Sequence, residues 1–371
     1  MASKARQLAQ SASAPEGRKN IVTNGAMQVA QRATSATGLG ASNGFFTVDR
    51  FKMLFNTSGR LKMEQVADGP SGFANSIKLS CTQADTSIGA DEFAVIEQRF
   101  EGQDLQRFMK GTSDAKEYAV SFYVKGNASA TYVIELFDND NDRQVSKQFS
   151  VTTSWSRVEL TFPADTTGAL DDDSNSSLLI FFWLHAGSNR TSGTLSETWT
   201  SRTDANRVVG INSFFSSTDN TFFVTGLQIE VGSVATEFEH RSFGEELALC
   251  QRYYHRQVRT DTTDASDISR FNNTAGLYLG LAQITGATDG FLPVNMPTTM
   301  RTTPTISQTN VSHISAFPGS NIVFTAFSIV GHEMHNLIFI SVAFASGGTA
   351  NDAARVFINT VGSFVDFEAE L

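Results

Sequence analysis

The sequence predicts an all-β protein: two antiparallel β-sandwich domains, jelly-roll-like, joined by one short α-helix. Three observations carry this. Short segments alternate apolar and polar side chains, as half-buried strands do. Asp, Asn, Gly and Ser turns separate them without intervening helices, which favours antiparallel pairing. One stretch alone, GEELALCQRYYHR at 244–256, has clear helical spacing.

Taken in order, residues 1–20 are rich in Ala, Ser, Gln and charge, with Pro15 and Gly17 near their end. Such a segment reads as an arm that is ordered only when something docks it. The first domain spans 21–241. In YAVSFYVKG, Val120, Phe122 and Val124 face one way and Ser121, Tyr123 and Lys125 the other. TYVIELFDNDND sets Tyr132, Ile134 and Leu136 on one face and stops in a polar turn. WSRVELTFPAD alternates up to Pro163, and LLIFFWLHAG is apolar on both faces, as a doubly covered central strand would be. TFFVTGLQIEVG adds a strand with an irregularity at Gly226, read as a bulge. The polar inserts at 138–142, 165–177 and 187–207 belong at the ends of the sandwich.

The connecting helix is assigned to 242–258. Ser242 and Glu245 have capping-box spacing, and Arg252, His255 and Arg256 suit the dipole of a last turn. Leu247, Cys250, Tyr253 and Tyr254 recur as one apolar face. A helix of about 12–14 residues is marginal alone. Those four residues must therefore pack on a domain or a neighbouring subunit, and they are the candidate subunit interface. A polar spacer, VRTDTTDASDIS, opens the second domain, 259–371, whose strands begin near Thr274. NIVFTAFSIVG, LIFISVAFASGG, ARVFINTVG and SFVDFEAEL read as strands. In the last, Val365, Phe367, Ala369 and Leu371 share a face, as in a strand zipped into a sheet.

Bulk properties narrow the function. At 371 residues the chain exceeds one ordinary core. Thirty Phe against 6 Tyr and 3 Trp imply thick sandwich cores, subunit interfaces, or both. A net charge of −10 argues against a nucleic-acid groove, which needs clustered basic surface, and against anionic lipid. Cys81 and Cys250 make neither a disulfide framework nor a zinc pattern, and read as buried thiols. The N-terminal segment has no apolar signal-peptide core, and no apolar run is long enough to insert in a membrane. The expectation is folding in a reducing cytoplasm. The absence of heptads or a fixed repeat excludes trimerisation by coiled coil or collagen.

Candidate chemistry is sparse. In HEMH, His332 and His335 are three apart, whereas a zincin helix needs four, and on a strand they face opposite ways. Surface histidines, or one histidine per chain around a metal on a trimer axis, are the two readings. DNDND at 138–142 opens like an EF-hand loop but has Arg143 at the sixth place and Phe149 at the twelfth. It and DDDSNSS at 171–177 read as solvated turns, with a loop calcium as the other reading; no cofactor and no metal ligand is assigned. Leu179, Phe181, Trp183 and His185 alternate onto one face. If Tyr123 and Glu135 join that surface, it mixes aromatic and polar groups as sugar-binding faces do. Tyr123, Glu135, Trp183 and His185 are accordingly the candidate carbohydrate ligands. Burial under a sister protomer, or under 187–207, are the competing readings. No G-x-S-x-G elbow, Walker loop or dinucleotide fingerprint occurs, and no catalytic residue is assigned.

Two resemblances follow from these motifs. YAVSFYVKG, TTSWSRVELTF and NTFFVTGLQIEVG, in that order between Tyr118 and Gly232, resemble the jelly-roll carbohydrate-binding modules of bacterial polysaccharide hydrolases. Thr225-Gly226 stand near the point where that family carries an acidic residue, which speaks against a calcium or sugar role there. KNIVTNGAMQVAQRATS, VDRFK, LQIEVGSVATEFEHRSFGEELALCQRYY, PVNMPTTMRTTPTIS and FEAEL resemble bacteriophage tail-fibre and related virion appendage proteins. That resemblance implies a trimer-prone, non-enzymatic structural protein. The expectation is a homotrimeric tail fibre or receptor-binding appendage, made in the bacterial cytoplasm. Its arm, 1–20, would dock on another virion protein, and it would attach to host polysaccharide or another receptor by avidity. The alternatives are a head-fibre, cement or tail-adaptor protein without receptor contact, and a polysaccharide depolymerase.

Overall fold

The computed structural model describes residues 18–258, 277–317, 322–333, 335–358, 360 and 362–371. Nearly all of the arm and the spacer at 259–276 lie outside the described residues. The chain divides into two compact units, Met1–Phe243 and Gly244–Leu371.

The first unit is a sandwich of two antiparallel sheets. One has six strands in the order β1 (Ser35–Leu39), β4 (Arg60–Val66), β5 (Ser76–Gln83), β13 (Thr221–Val231), β7 (Tyr118–Gly126), β10 (Ser156–Phe162). The other has seven: β12 (Thr200–Ser201), β9 (Arg143–Val151), β8 (Ala130–Asp138), β11 (Ser176–Ala186), β6 (Phe93–Glu101), β3 (Lys52–Asn56), β2 (Gly44–Phe45). The chain crosses between sheets after β1, β3, β5, β6, β7, β9, β10 and β12, which is jelly-roll-like winding. Val120, Phe122 and Val124 of β7 point into the core with Ile134, Leu136, Ile180 and Phe182 from the opposite sheet, as alternation predicts. Phe122 meets Phe149 and Phe182 edge-on at 5.1 and 5.0 Å, contacts worth about 0.5–1.5 kcal/mol each beyond their area.

In the second unit the all-β, antiparallel class also holds. Its main sheet closes into a six-stranded barrel, where the sequence predicts two packed sheets. The barrel runs β15 (Leu277–Ile284), β16 (Asp289–Asn295), β20 (Leu337–Phe344), β19 (Ile322–Glu333), β18 (Ile314–Phe317), β21 (Ala353–Ile358). Closure removes the free edges that an open sheet of this kind would expose. Beside it, β22 (Phe364–Glu368) lies between β14 (Tyr254–Val258) and β17 (Thr305–Gln308). Val365, Phe367 and Ala369 are buried, as the pattern of the last strand predicts. HEMH falls at the β19–β20 hairpin, with His335 at φ 54° in its turn; the His332 side chain and Met334 lie outside the described residues.

The helical stretch is the main correction. Besides a four-residue turn, α1 (Ser188–Thr191), the helix α2 covers only Phe243–Gln251. Tyr254 to Val258 are instead strand, paired from Tyr254↔Glu368 to Val258↔Phe364. A ladder partner 106 to 114 residues away, visible only in the fold, outcompetes continuation of the helix. The four proposed interface residues therefore do not form one helix face. Leu247 is half-buried, while Cys250, Tyr253 and Tyr254 are buried within the single chain. The phenylalanines are likewise spent internally: among the described residues, Phe243 and Phe291 are the exposed ones. Hidden rings thus no longer argue for a trimer.

On β14, His255 stacks on Phe367 at 6.3 Å, and burial pushes its imidazole below the ordinary range, with Asp366 opposing. The unfolded chain therefore takes up this proton first. The stability it contributes is complete above the ordinary value of 6.5 and is lost as pH falls toward the depressed value. Urea midpoints at about pH 5.5 and about pH 7.5 should differ less in His255→Gln than in the natural chain. An unchanged difference would refute the assignment.

Candidate binding face on the six-stranded sheet

The outer face of the six-stranded sheet is built by strand register. Phe223 of β13 is level with Lys78 of β5 on one side and Lys125 of β7 on the other. Trp155, one residue before β10, extends this row, because Ser156 pairs with Val124. In the next row Thr225, Tyr123 and Arg157 are level. Phe222 and Val224 point to the core, so alternation drives Phe223 outward.

The rings and charges of the face interlock. Trp155 and Phe223 meet edge-on at 6.1 Å, and the Lys125 ammonium lies 5.1 Å from the first ring centre and 4.7 Å from the second. Lys78 lies 5.5 Å from Phe223. Asp68 accepts from Lys125 Nζ at 2.6 Å and from Trp155 Nε1 at 3.1 Å. The Lys125 hydrogen bond holds the Asp68 carboxyl below its ordinary range, against partial burial, with Trp155 and Lys78 assisting. Tyr123 packs on Phe73 at 5.2 Å, and Phe73 continues to Phe238 and His240 at 5.0 and 5.2 Å. These rings keep part of their surface accessible: Phe73, Tyr123, Trp155, Phe223 and Phe238 are half-buried and His240 is exposed.

The expected bulge at Gly226 is present, as a register shift between Thr225 and Gln228. Gly226 has φ +64°, and a Cβ there would meet Phe73 at 2.8 Å and Tyr123 at 2.9 Å. Glycine is thus required both by the backbone and by the seating of the two rings.

The four predicted sugar ligands do not converge. Tyr123 lies on this face, but Glu135 and Trp183 belong to the other sheet, because the chain crosses over between β7 and β8. Glu135 and Trp183 do touch, Nε1 donating to Oε2 at 2.7 Å. Both are buried with Val95, Phe137, Leu179 and Phe181 beneath the segment that carries Leu195, Val208 and Ile211. The covering-loop reading is the one realised. Burial raises the Glu135 carboxyl above its ordinary range despite Arg207 and Trp183. His185 leaves the Trp183 face altogether. A register shift after Trp183 reverses the alternation, so His185 meets Phe215 of the main core at 5.3 Å.

The structure also accounts for the first acidic loop. DNDND is the β8–β9 hairpin turn, and Asp138 at its start is buried. The cation it holds is the Lys110 ammonium, which also lies 3.1 Å from Asp165. Trp155, Phe223, Lys125 and Asp68 were not singled out from sequence. The signal for the first was its alternation with Arg157 and Glu159 in WSRVE.

Arranged this way, partly accessible rings next to an ionised carboxylate and two ammonium groups can hold a ligand with both C–H-rich and hydroxyl-bearing sides. No protein-family model matches the chain, and no curated protein matches it. Several solved structures are weakly similar. The enzymatically active domain of tailspike protein 4 from bacteriophage CBA120 aligns at TM-score 0.29 and 10% identity, over 57% of this chain and 21% of that one. The family 11 carbohydrate-binding module of Clostridium thermocellum Lic26A-Cel5E aligns at 0.27 and 14%, over 55% and 98%. A family 61 module, TmCBM61, in complex with β-1,4-galactotriose aligns at 0.28 and 8%, over 58% and 99%. The chain spans about a fifth of the tailspike, and similarities this weak assign no activity.

Proposed function

We propose that this chain is a non-catalytic, glycan-binding structural protein of a bacteriophage virion, attaching to the host surface through the outer face of its six-stranded sheet. The observation that carries the binding reading is the Trp155–Phe223–Lys125–Asp68 arrangement. It leaves aromatic faces accessible and anchors them with charged groups that can meet hydroxyls. The virion assignment rests on the motif resemblance, from KNIVTNGAMQVAQRATS to FEAEL. Attachment through three copies belongs to the same proposal. The surface free for a sister chain includes the exposed Tyr278, Leu281, Phe291 and Val330 of the barrel strands.

The test is binding of the full chain to host cells and to an array of bacterial-surface oligosaccharides. Trp155→Ala should weaken binding about tenfold or more, the loss of one stacking ring worth about 1.5 kcal/mol. Trp183→Phe should leave it unchanged, because that ring is enclosed. Equal binding by Trp155→Ala and the natural chain would sink the assigned face. Release of oligosaccharide by the protein would overturn the non-catalytic reading.

A further inference from the structure

At one end of the sandwich three side chains from two segments converge: Asp85 and Glu92, near the start and at the end of the β5–β6 connection, and His185 near the end of β11. One ligand-type atom from each lies within 4.8 Å of the others. We propose that Asp85, Glu92 and His185 form a binding site for a divalent transition-metal cation, zinc foremost. The site would pin the 85–92 loop to the end of β11.

The decisive feature is His185. It is fully buried, yet its Nε2 has no hydrogen-bond partner. Glu92 Oε2 is 3.7 Å away, too long for a hydrogen bond. A buried ring nitrogen with no hydrogen-bond partner, in a cluster with two carboxylates, costs stability unless something fills the gap. Its other nitrogen, Nδ1, lies 2.8 Å from Ser213 Oγ, and that oxygen accepts from the Phe215 amide at 3.2 Å. An outer partner of this kind fixes the orientation of a ligating imidazole.

The carboxylates are supported in the same way. Asp85 Oδ2 accepts from Thr57 Oγ1 at 3.0 Å and the Ser58 amide at 3.1 Å, while the Asp85 amide donates to Phe215 O at 2.8 Å. Glu92 Oε2 accepts from the Gly89 amide at 2.8 Å, and its carbonyl accepts from Gly187 at 2.8 Å. Ligands around a tetrahedral zinc with bonds of ~2.1 Å sit about 3.4 Å apart, so modest rotamer shifts would close the cluster. One imidazole with two carboxylates suits zinc or a neighbouring transition ion, whereas calcium and magnesium prefer oxygen alone. Glu92 is the one ligand with appreciable exposure, 16% of its side chain, and gives a path from solvent and room for a water in the fourth position.

The full chain, without a histidine tag and stripped with a chelator, should take up one zinc per chain, measured by elemental analysis after gel filtration. Competition with a chromophoric chelator gives the affinity. Glu92→Gln, at the part-exposed ligand, should weaken it at least tenfold, and Ser213→Ala by about 10–100-fold through the outer shell. Cobalt in place of zinc should give the visible absorption of a tetrahedral site, and calcium should not compete. Circular dichroism of each variant separates lost binding from lost folding. Less than stoichiometric uptake, or zinc held equally by Glu92→Gln and Asp85→Asn, would overturn the assignment, the latter placing the ion elsewhere.

Discussion

Arg207→Ala should cost the first unit about 3–5 kcal/mol, the range for breaking a buried ion pair at one partner. Arg207 donates to Glu135 from Nε at 2.9 Å and from Nη2 at 3.0 Å, and Glu135 is completely buried. Its guanidinium also lies 4.9 Å from the Trp183 ring centre and 5.3 Å from that of Phe137. Removing it leaves a carboxylate in an apolar layer with the Trp183 indole as its remaining side-chain donor. It also loosens the segment that covers Leu179, Phe181 and Trp183. Adding Glu135→Gln should restore part of the loss, because the uncompensated charge then disappears. Thermal and urea unfolding of the single and double variants measures both effects. A single-variant loss under about 1 kcal/mol, or no recovery in the double variant, would show that the pair does not hold the cover in place.

That buried pair also marks where the sequence stopped being informative. Which residues of a strand share a face was legible: Val120, Phe122 and Val124 point inward as the pattern says, and Glu135 does adjoin Trp183. Which strands share a sheet was not. Tyr123 and Glu135 sit on consecutive strands, and nothing local distinguishes a hairpin from a crossover between layers. Bulges add a second blind spot, since one extra residue inverts every later side chain. The glycine at 226 announced its bulge, whereas the shift beyond Trp183 has no glycine to announce it, and His185 was put on the wrong face. The end of the helix failed for a third reason. YYHRQV suits a last helical turn by charge, yet a strand over a hundred residues later claims its backbone. Local propensity yields when tertiary pairing offers a complete ladder.

Lys110→Met should have an effect of similar size with a distinctive pH dependence. The Lys110 ammonium is buried, pairs with Asp138, lies 3.1 Å from Asp165, and donates to the carbonyls of Thr167 at 3.0 Å and Gly168 at 2.8 Å. Without it, Arg143 still pairs with Asp165 at 2.7 and 3.0 Å, but Asp138 retains only the Asn141 backbone and side-chain donors. The cost at neutral pH should be about 3–5 kcal/mol. Burial already raises the Asp138 carboxyl above its ordinary range against the pull of Lys110; removing Lys110 raises it further. A carboxyl whose folded value exceeds its unfolded value favours the fold when protonated and penalises it as pH rises through the folded value. Asp165 runs the other way. Burial alone would raise it, but Arg143, the Thr167 amide and Lys110 together hold it low, so its contribution is present above the ordinary carboxylate range and lost in acid. In the natural chain the two groups oppose each other, but the gap to Lys110→Met should narrow on acidification, as Asp138 takes up its proton in the variant and the natural chain loses the Asp165 contribution. Urea unfolding of both proteins between about pH 4.5 and about pH 7.5 tests this. A gap that stays constant across that range would mean that lost packing, not the stranded Asp138 charge, accounts for the damage.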